Sequence, residues 1–513
     1  MNGAESLVRT ARAAGIELCF ANPGTTELPL VAALDREPGI RAVLGLFEGV
    51  CTGAADGYAR MAGRPALTLL HLGPGFANGI ANLHNARRAR SAVVNLIGDH
   101  ATWHLPYDAP LTSDIVSLAT PVSAWVRTSR TAAALAGDFA DAVAAASRPP
   151  GQVATLIAPS DCQWDPADGP ARPRPRESLP RPDVGRVAAM ARRLRESRSP
   201  ALLLGLGALR EAGLQAAARV AAATGAALLC EVFPVHVDRG AGRPRVEKLP
   251  YFPEQAQERL ARCDAVVLAG ARAPVAFFGY PGVASRLAPE SAVQLLATPD
   301  EDAAGALADL ADALEAPARA AAPAPAPLPE PPAGALTPAS LGAVLARLQP
   351  EGAIVVDEGA TSSLAYFGAA EAAPPHSYLA LTGGAIGQGL PCATGAALAC
   401  PQRKVIALQA DGSGLYTLQA LWTQAREQLD VVTLICANRS YRILQLELAR
   451  AGIAEPGAKA RALTDLSHPE LDWTALARGF GVPATRAQTT EELTRALGNA
   501  LAEPGPCLIE VLL

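Results

Sequence analysis

The chain has 513 residues, 50% of them hydrophobic and 18% charged, with a formal net charge of −5. Acids and bases are interspersed, so there is no basic stripe of the kind that binds nucleic acid, and no apolar run is long enough to span a membrane. An Ala/Leu/Val-rich composition at this length points to about three domains of layered α/β build; scattered cysteines and a start, Met1 to Ser6, without signal-peptide character point to the cytoplasm.

The first segment, residues 1–164, alternates strand-like runs such as residues 66–70 with helical Ala/Leu-rich stretches. Leu44-Gly45-Leu46-Phe47-Glu48-Gly49-Val50 sets one acid, Glu48, in an otherwise apolar run. The small-residue helix Ala54-Ala55-Asp56-Gly57-Tyr58-Ala59-Arg60 follows it. An isolated Glu there is costly to desolvate unless it is hydrogen-bonded. A helix-start Glu held by backbone amides is one reading and a functional carboxylate is the other. His71 follows the 66–70 strand and suits proton transfer near neutral pH. His100 and His104 fall on a loop over the site.

A Pro/Arg-rich stretch over 166–182 separates this segment from a middle one, residues 184–315. There a strand over 201–204 runs into Leu204-Gly205-Leu206-Gly207-Ala208. The third glycine of a dinucleotide fingerprint is missing, so a tight βα turn is the preferred reading. A Pro/Ala-rich linker, 316–333, favours extended chain and forms no packed core. The last segment covers 334–513. The fold class is α/β, with three doubly wound parallel-sheet domains.

In the last segment the apolar run Val405-Ile406-Ala407-Leu408 reads as a buried strand and delivers Gln409-Ala410-Asp411-Gly412-Ser413-Gly414 at its carboxyl end. Gly412 and Gly414 let the backbone approach a bulky anion, and Ser413 is expected to cap a helix over about 415–428. A second apolar strand over 431–436 brings Asn438 beside Asp411. One carboxylate and one amide oxygen at adjacent strand ends suit a hard cation with two phosphate oxygens.

These residues resemble the magnesium and diphosphate motif of thiamine-diphosphate enzymes, with Ala410 and Ala437 standing where that family usually has Gly and Asn. The resemblance implies Mg²⁺ held by Asp411, Asn438 and the Ser440 main-chain carbonyl. It names a pyrimidine-binding first domain, a middle domain, and a diphosphate-binding third. Glu48 would hydrogen-bond the aminopyrimidine. Gly384, Ala385 and Ile386, within the run Gly383 to Pro391, would bend the cofactor. Gly359, Ala360 and Thr361, with Gly412, Ser413 and Tyr441, would line the diphosphate. Thr25, in Asn22-Pro23-Gly24-Thr25-Thr26-Glu27, and His71, ahead of Gly73-Pro74-Gly75, would touch substrate. FAD stays open in the middle domain and is not predicted. A homodimer or homotetramer with shared active sites follows from the same resemblance.

Enzymes of this kind remove carbon dioxide from a 2-oxo acid. The resemblance implies transfer of the resulting carbanion to an acceptor, as in the acetolactate-synthase-like group. The alternative is release of an aldehyde, as in the benzoylformate-decarboxylase branch. That branch's second histidine has no counterpart near Phe277-Phe278-Gly279-Tyr280-Pro281, and the Gln-Glu pair of the synthase channel is missing around Thr112-Ser113. A catalytically silent regulatory homologue is a reading from another class, opposed by the joint retention of Glu48, Asp411 and Asn438.

Overall fold

The computed structural model describes residues 1–321 and 327–513, so part of the expected 316–333 linker lies outside the described residues. Two compact units emerge. One comprises Met1–Glu177, Glu330–Tyr366 and Leu381–Leu513; the other comprises Ser178–Pro329 and Phe367–Ala380.

The amino-terminal sheet of the first unit contains β1 (Leu18–Asn22), β2 (Arg41–Leu44), β3 (Ala66–Leu70), β4 (Val93–Asp99), β5 (Trp125–Thr128) and β6 (Val153–Pro159). Their order is β2-β1-β3-β4-β6-β5, all parallel. Every residue of β3, β4 and β6 is buried, as expected for strands covered by helices on both faces. Strand order reverses between β1 and β3, which makes a crevice at their carboxyl ends.

The second unit holds β7 (Pro200–Leu204), β8 (Ala227–Cys230), β9 (Val237–Arg239), β10 (Glu247–Lys248), β11 (Ala265–Ala269) and β12 (Val293–Ala297). Five of them form a parallel sheet in the order β10-β8-β7-β11-β12. A Cβ on Gly205 would lie 2.5 Å from the Gly270 carbonyl oxygen, so close backbone packing accounts for that glycine.

The remaining strands are β13 (Ile354–Glu358), β14 (His376–Ala380), β15 (Val405–Ala410), β16 (Val431–Ala437), β17 (Ala484–Ala487) and β18 (Cys507–Leu512). Within the first unit, β17-β18-β16-β15-β13 are parallel neighbours. Within the second, β14 pairs antiparallel with β9.

Two helices of the first unit cross almost backbone to backbone, Glu48–Ala62 and Gly389–Ala399. A Cβ on Gly57 would lie 2.0 Å from the Cys392 carbonyl oxygen, and one on Gly395 only 1.9 Å from that of Ala54. Beside this crossing the fully buried Asp56 receives Arg60 Nε at 2.8 Å and Arg60 Nη2 at 2.5 Å, together with Ser91 and Gln388. Arg60 Nη2 also reaches Thr382 Oγ1 at 2.9 Å. The cysteines are free, and Cys19, Cys51, Cys162, Cys230, Cys392 and Cys436 are buried. Among the described residues no helix is long and apolar enough to cross a membrane.

The helix expected over 415–428 is shorter and starts later. Residues Asp411–Gly414 make one turn, residues 415–419 do not continue it, and the helix proper is Ala420–Arg426. Two glycines weaken the first turn, and Thr417 instead donates its hydroxyl to the Gly387 carbonyl at 2.8 Å. Ser413 does not cap this helix: its Oγ receives Gln409 Nε2 at 2.6 Å and donates to the Ala410 carbonyl at 3.2 Å.

Candidate active site

Asp411 and Asn438 follow directly on β15 and β16, whose ends are paired through Ala410 and Cys436. The Asp411 carboxylate is buried and takes main-chain N–H groups on both oxygens, from Gly412 at 2.8 Å and Arg439 at 2.6 Å. Burial pushes its carboxyl above the ordinary aspartate range. Asn438 Oδ1 receives the Ser440 N–H at 3.0 Å. Arg439, between them, is left-handed at φ +56° and ion-pairs with Glu470. A Cβ on Gly412 would lie 2.5 Å from the Tyr441 ring and 2.9 Å from Leu466 Cδ1, so a larger residue would have to displace both side chains. A buried carboxylate beside a half-buried carboxamide offers the oxygen donors that a hard divalent cation takes. Among the described residues no cluster of three or more His, Cys, Asp or Glu side chains offers a metal site.

Gly359, Ala360 and Thr361 follow β13, the neighbour of β15. Ala360 adopts φ +50°, a conformation that costs a non-glycine residue roughly 1–3 kcal/mol and tends to mark functional loops. The run 383–389 is held by side chains at almost every peptide. Asn85 donates to the Ala385 carbonyl at 2.7 Å and accepts the Ala385 N–H at 3.2 Å. Asn82 reaches the Gly387 carbonyl at 3.2 Å, and His84 Nε2 lies 3.1 Å from that of Gly383. Gly384 at φ +78° and Gly387 at φ +96° bend the chain on either side of Ala385 and the half-buried Ile386. Glu358, at the end of β13, accepts the N–H groups of Gly387, at 2.6 Å, and Gly389. Sequence reasoning did not single it out. Its only signal is an acid closing an apolar strand.

At the amino-terminal crevice, Glu48 is the first residue of its helix and 8% exposed. Its Oε2 receives Asn78 Nδ2 at 2.9 Å. A Cβ on Gly75 would lie 3.0 Å from Glu48 Oε1 and 3.2 Å from His71 Cβ, so Glu48 and His71 border the same glycine. His71 Nδ1 faces Glu27 Oε2 at 2.8 Å. Glu27 is fully buried and also receives the Gly24 N–H at 2.7 Å and Thr26 Oγ1 at 2.6 Å. A carboxylate on Nδ1 favours the tautomer that donates there and leaves Nε2 without the proton. Glu27 was not among the residues expected at the site, although it closes the Asn22–Glu27 run. Thr25 is exposed at the tip of that loop, while Thr26 and Glu27 face the imidazole. His100 and His104 pack edge to face at 5.4 Å, and His100 Nε2 has no hydrogen-bond partner among the described residues.

The structure therefore collects Asp411, Gly412, Ser413, Asn438, Ser440 and Tyr441 at one place, and Glu48, His71 and Glu27 at another. Among the described residues, no polar contact of Glu48 reaches Asp411 or Asn438 within the chain.

Residues 1–118 match the family model of the thiamine pyrophosphate enzyme N-terminal TPP binding domain, and residues 358–511 that of the C-terminal TPP binding domain. The chain belongs to the thiamine pyrophosphate enzyme family. It is 52% identical over 515 residues to a Mycobacterium tuberculosis protein provisionally named acetolactate synthase large subunit IlvX, covering 100% of this chain and 99% of that one. It is 33% identical over 534 residues to benzoylformate decarboxylase of Pseudomonas aeruginosa, covering 97% and 96%. Among solved structures it resembles the Rhodococcus jostii RHA1 thiamine diphosphate-dependent 4-hydroxybenzoylformate decarboxylase, with a TM-score of 0.88, 26% identity and coverage of 99% and 98%. The family's two binding modules thus fall on the two side-chain clusters described above, and the α/β fold is the one these relatives share.

Proposed function

We propose that the chain is a thiamine-diphosphate- and Mg²⁺-dependent enzyme that decarboxylates a 2-oxo acid and passes the acyl carbanion equivalent to a carbonyl acceptor. The observation that supports it most is the buried Asp411, followed by Gly412, beside the half-buried Asn438 at the carboxyl ends of β15 and β16. When bound, thiamine diphosphate supplies the electron sink for the pair left by departing carbon dioxide.

The chain's own residues do the rest. Asp411, Asn438 and the Ser440 carbonyl hold Mg²⁺. Gly359, Ala360, Thr361, Gly412, Ser413 and Tyr441 surround the diphosphate, and Gly384, Ala385 and Ile386 set the cofactor's shape. Glu48, buried and held by Asn78, would hydrogen-bond the pyrimidine, and burial lowers the local dielectric and strengthens such a bond. Thr25 contacts substrate, and His71 exchanges a proton at Nε2 while Glu27 fixes its ring. Shared sites need a homodimer or homotetramer, and the cytoplasm is the expected compartment.

The likeness to the M. tuberculosis relative supports ligation. Release of an aldehyde is a second reading, favoured by the Glu27–His71 pair, which would supply a proton at His71 Nε2, and by the likeness to benzoylformate decarboxylase. Incubation with pyruvate or benzoylformate, thiamine diphosphate and Mg²⁺ decides the matter. An acyloin product supports ligation and a free aldehyde supports simple decarboxylation. Absence of carbon dioxide from every 2-oxo acid in a panel sinks both. Replacing Glu48 by Gln is expected to lower turnover at least a hundredfold while cofactor affinity, followed by titration calorimetry, changes little.

A further inference from the structure

Glu358 is an acid enclosed at the carboxyl end of β13, 4% exposed, in the run 357–362 that the resemblance places at the diphosphate, but with no individual role there. Both its oxygens are spent on main-chain donors of a segment 29 to 31 residues further on, Gly387 and Gly389. Gly389 opens the helix Gly389–Ala399, whose N-cap residue, Gln388, makes no side-chain cap bond. The first N–H groups of a helix lack partners within it. Glu358 provides one from a neighbouring strand, and a carboxylate is favoured at that positive end. Its other oxygen fixes the Gly387 peptide, whose carbonyl is held by Thr417 Oγ1 at 2.8 Å and Asn82 Nδ2 at 3.2 Å. Asn85 grips both ends of Ala385. Ile386 is thus bracketed by two residues, each anchored at N–H and at C=O by side chains from elsewhere in the fold. A Cβ on Gly389 would lie 2.2 Å from Gln409 Oε1, 2.9 Å from Glu358 Oε2 and 3.0 Å from Glu358 Cβ, so a larger residue there would crowd the carboxyl.

We propose that Glu358 is the positioning residue that sets residues 385–389, and with them Ile386, in their final shape before any cofactor arrives. This rests on the reading that the 384–386 loop receives thiamine diphosphate. A preformed loop spares binding the entropy of ordering it, so Glu358 acts on affinity through Ile386 without touching the ligand.

The test uses the full-length apoprotein and the variants Glu358→Ala, Glu358→Gln and Thr417→Val. Hydrogen–deuterium exchange is followed in peptides covering 383–389 and, as an internal reference, 93–99. Thiamine diphosphate affinity is measured by calorimetry with Mg²⁺ present. Glu358→Ala is expected to speed exchange in 383–389 at least tenfold, leave 93–99 unchanged, and weaken cofactor binding at least tenfold. Glu358→Gln keeps the size and one acceptor, so it is expected to recover part of both losses. Thr417→Val, which leaves the acid in place, is expected to loosen the same peptide to a smaller degree. Unchanged exchange in 383–389 in the variants that fold, or loosened exchange with full cofactor affinity, overturns the proposal. Failure of the wild-type chain to bind thiamine diphosphate at all would instead remove the family-based function, and the apoprotein exchange would still judge Glu358.

Discussion

Replacing Gly57 by Ala tests the helix crossing that joins the two cofactor-binding modules. In an ordinary helix interior this change stabilises by up to about 1 kcal/mol. Here the new methyl would lie 2.0 Å from the Cys392 carbonyl oxygen and 2.7 Å from its carbon, where relaxed contacts begin at 3.4 Å. The obstacle is backbone, so no rotamer change relieves it. The helices must part by more than 1 Å along a seam that also includes Gly53 against Pro391 and Gly395 against Ala54. Overpacking of a buried seam costs about 1–3 kcal/mol and more when nothing can yield, so we expect Gly57→Ala to destabilise by about 2–3 kcal/mol net. Gly137 and Gly498 are the controls: both are helical and an added Cβ meets nothing within 4 Å. Alanine there is expected to gain up to about 1 kcal/mol. Urea denaturation followed by circular dichroism gives the differences. The double variant Gly57→Ala/Gly395→Ala is expected to lose less than the sum, since the seam opens once. A Gly57→Ala protein as stable as the wild type, or stabilised like Gly498→Ala, refutes the reasoning.

Burial pushes the Glu358 carboxyl up from 4.5 to about 7 despite its backbone hydrogen bonds. The folded chain therefore holds a proton that the unfolded chain releases between those values, and stability falls as pH rises through that window. The loss is on the order of 3 kcal/mol. Unfolding curves from pH 4 to 8 should show this component in the wild type and not in Glu358→Gln; equal slopes contradict it. Arg60→Met leaves the fully buried Asp56 with Ser91 and Gln388 as partners among the described residues, and is expected to cost about 3–5 kcal/mol. Adding Asp56→Asn should recover part of that loss, and a simple sum of the two single effects would count against a coupled pair. Asp411→Ala is expected to abolish Mg²⁺-dependent binding of thiamine diphosphate with the fold retained; calorimetry showing wild-type affinity removes the residue from the metal set.

Much of the site could be read from the chain because its residues sit at the ends of strongly apolar strands. Val405-Ile406-Ala407-Leu408 and the 431–436 run are buried strands, so Asp411 and Asn438 land side by side. Glu48 is legible for a similar reason, as a lone acid opening a small-residue helix. What escaped depends on partners distant in sequence. Glu27 gains its place from an imidazole 44 residues away, and Glu358 from peptides about 30 residues on. The premature end of the 411–414 turn follows a bond from Thr417 to Gly387, which overrides local helix propensity. Residues 367–380 group with the second unit because β14 pairs with β9, a registry that hydrophobic patterning does not reveal.

The enclosed thiols give the protein a chemical clock. Alkylation requires thiolate, and burial lifts Cys19 and Cys392 in the first unit and Cys230 in the second to about 12. Reagent at neutral pH will therefore spare all three until the surrounding structure opens. Mass spectrometry of a timed labelling series can then report the breathing of each unit separately, using thiols the chain already carries.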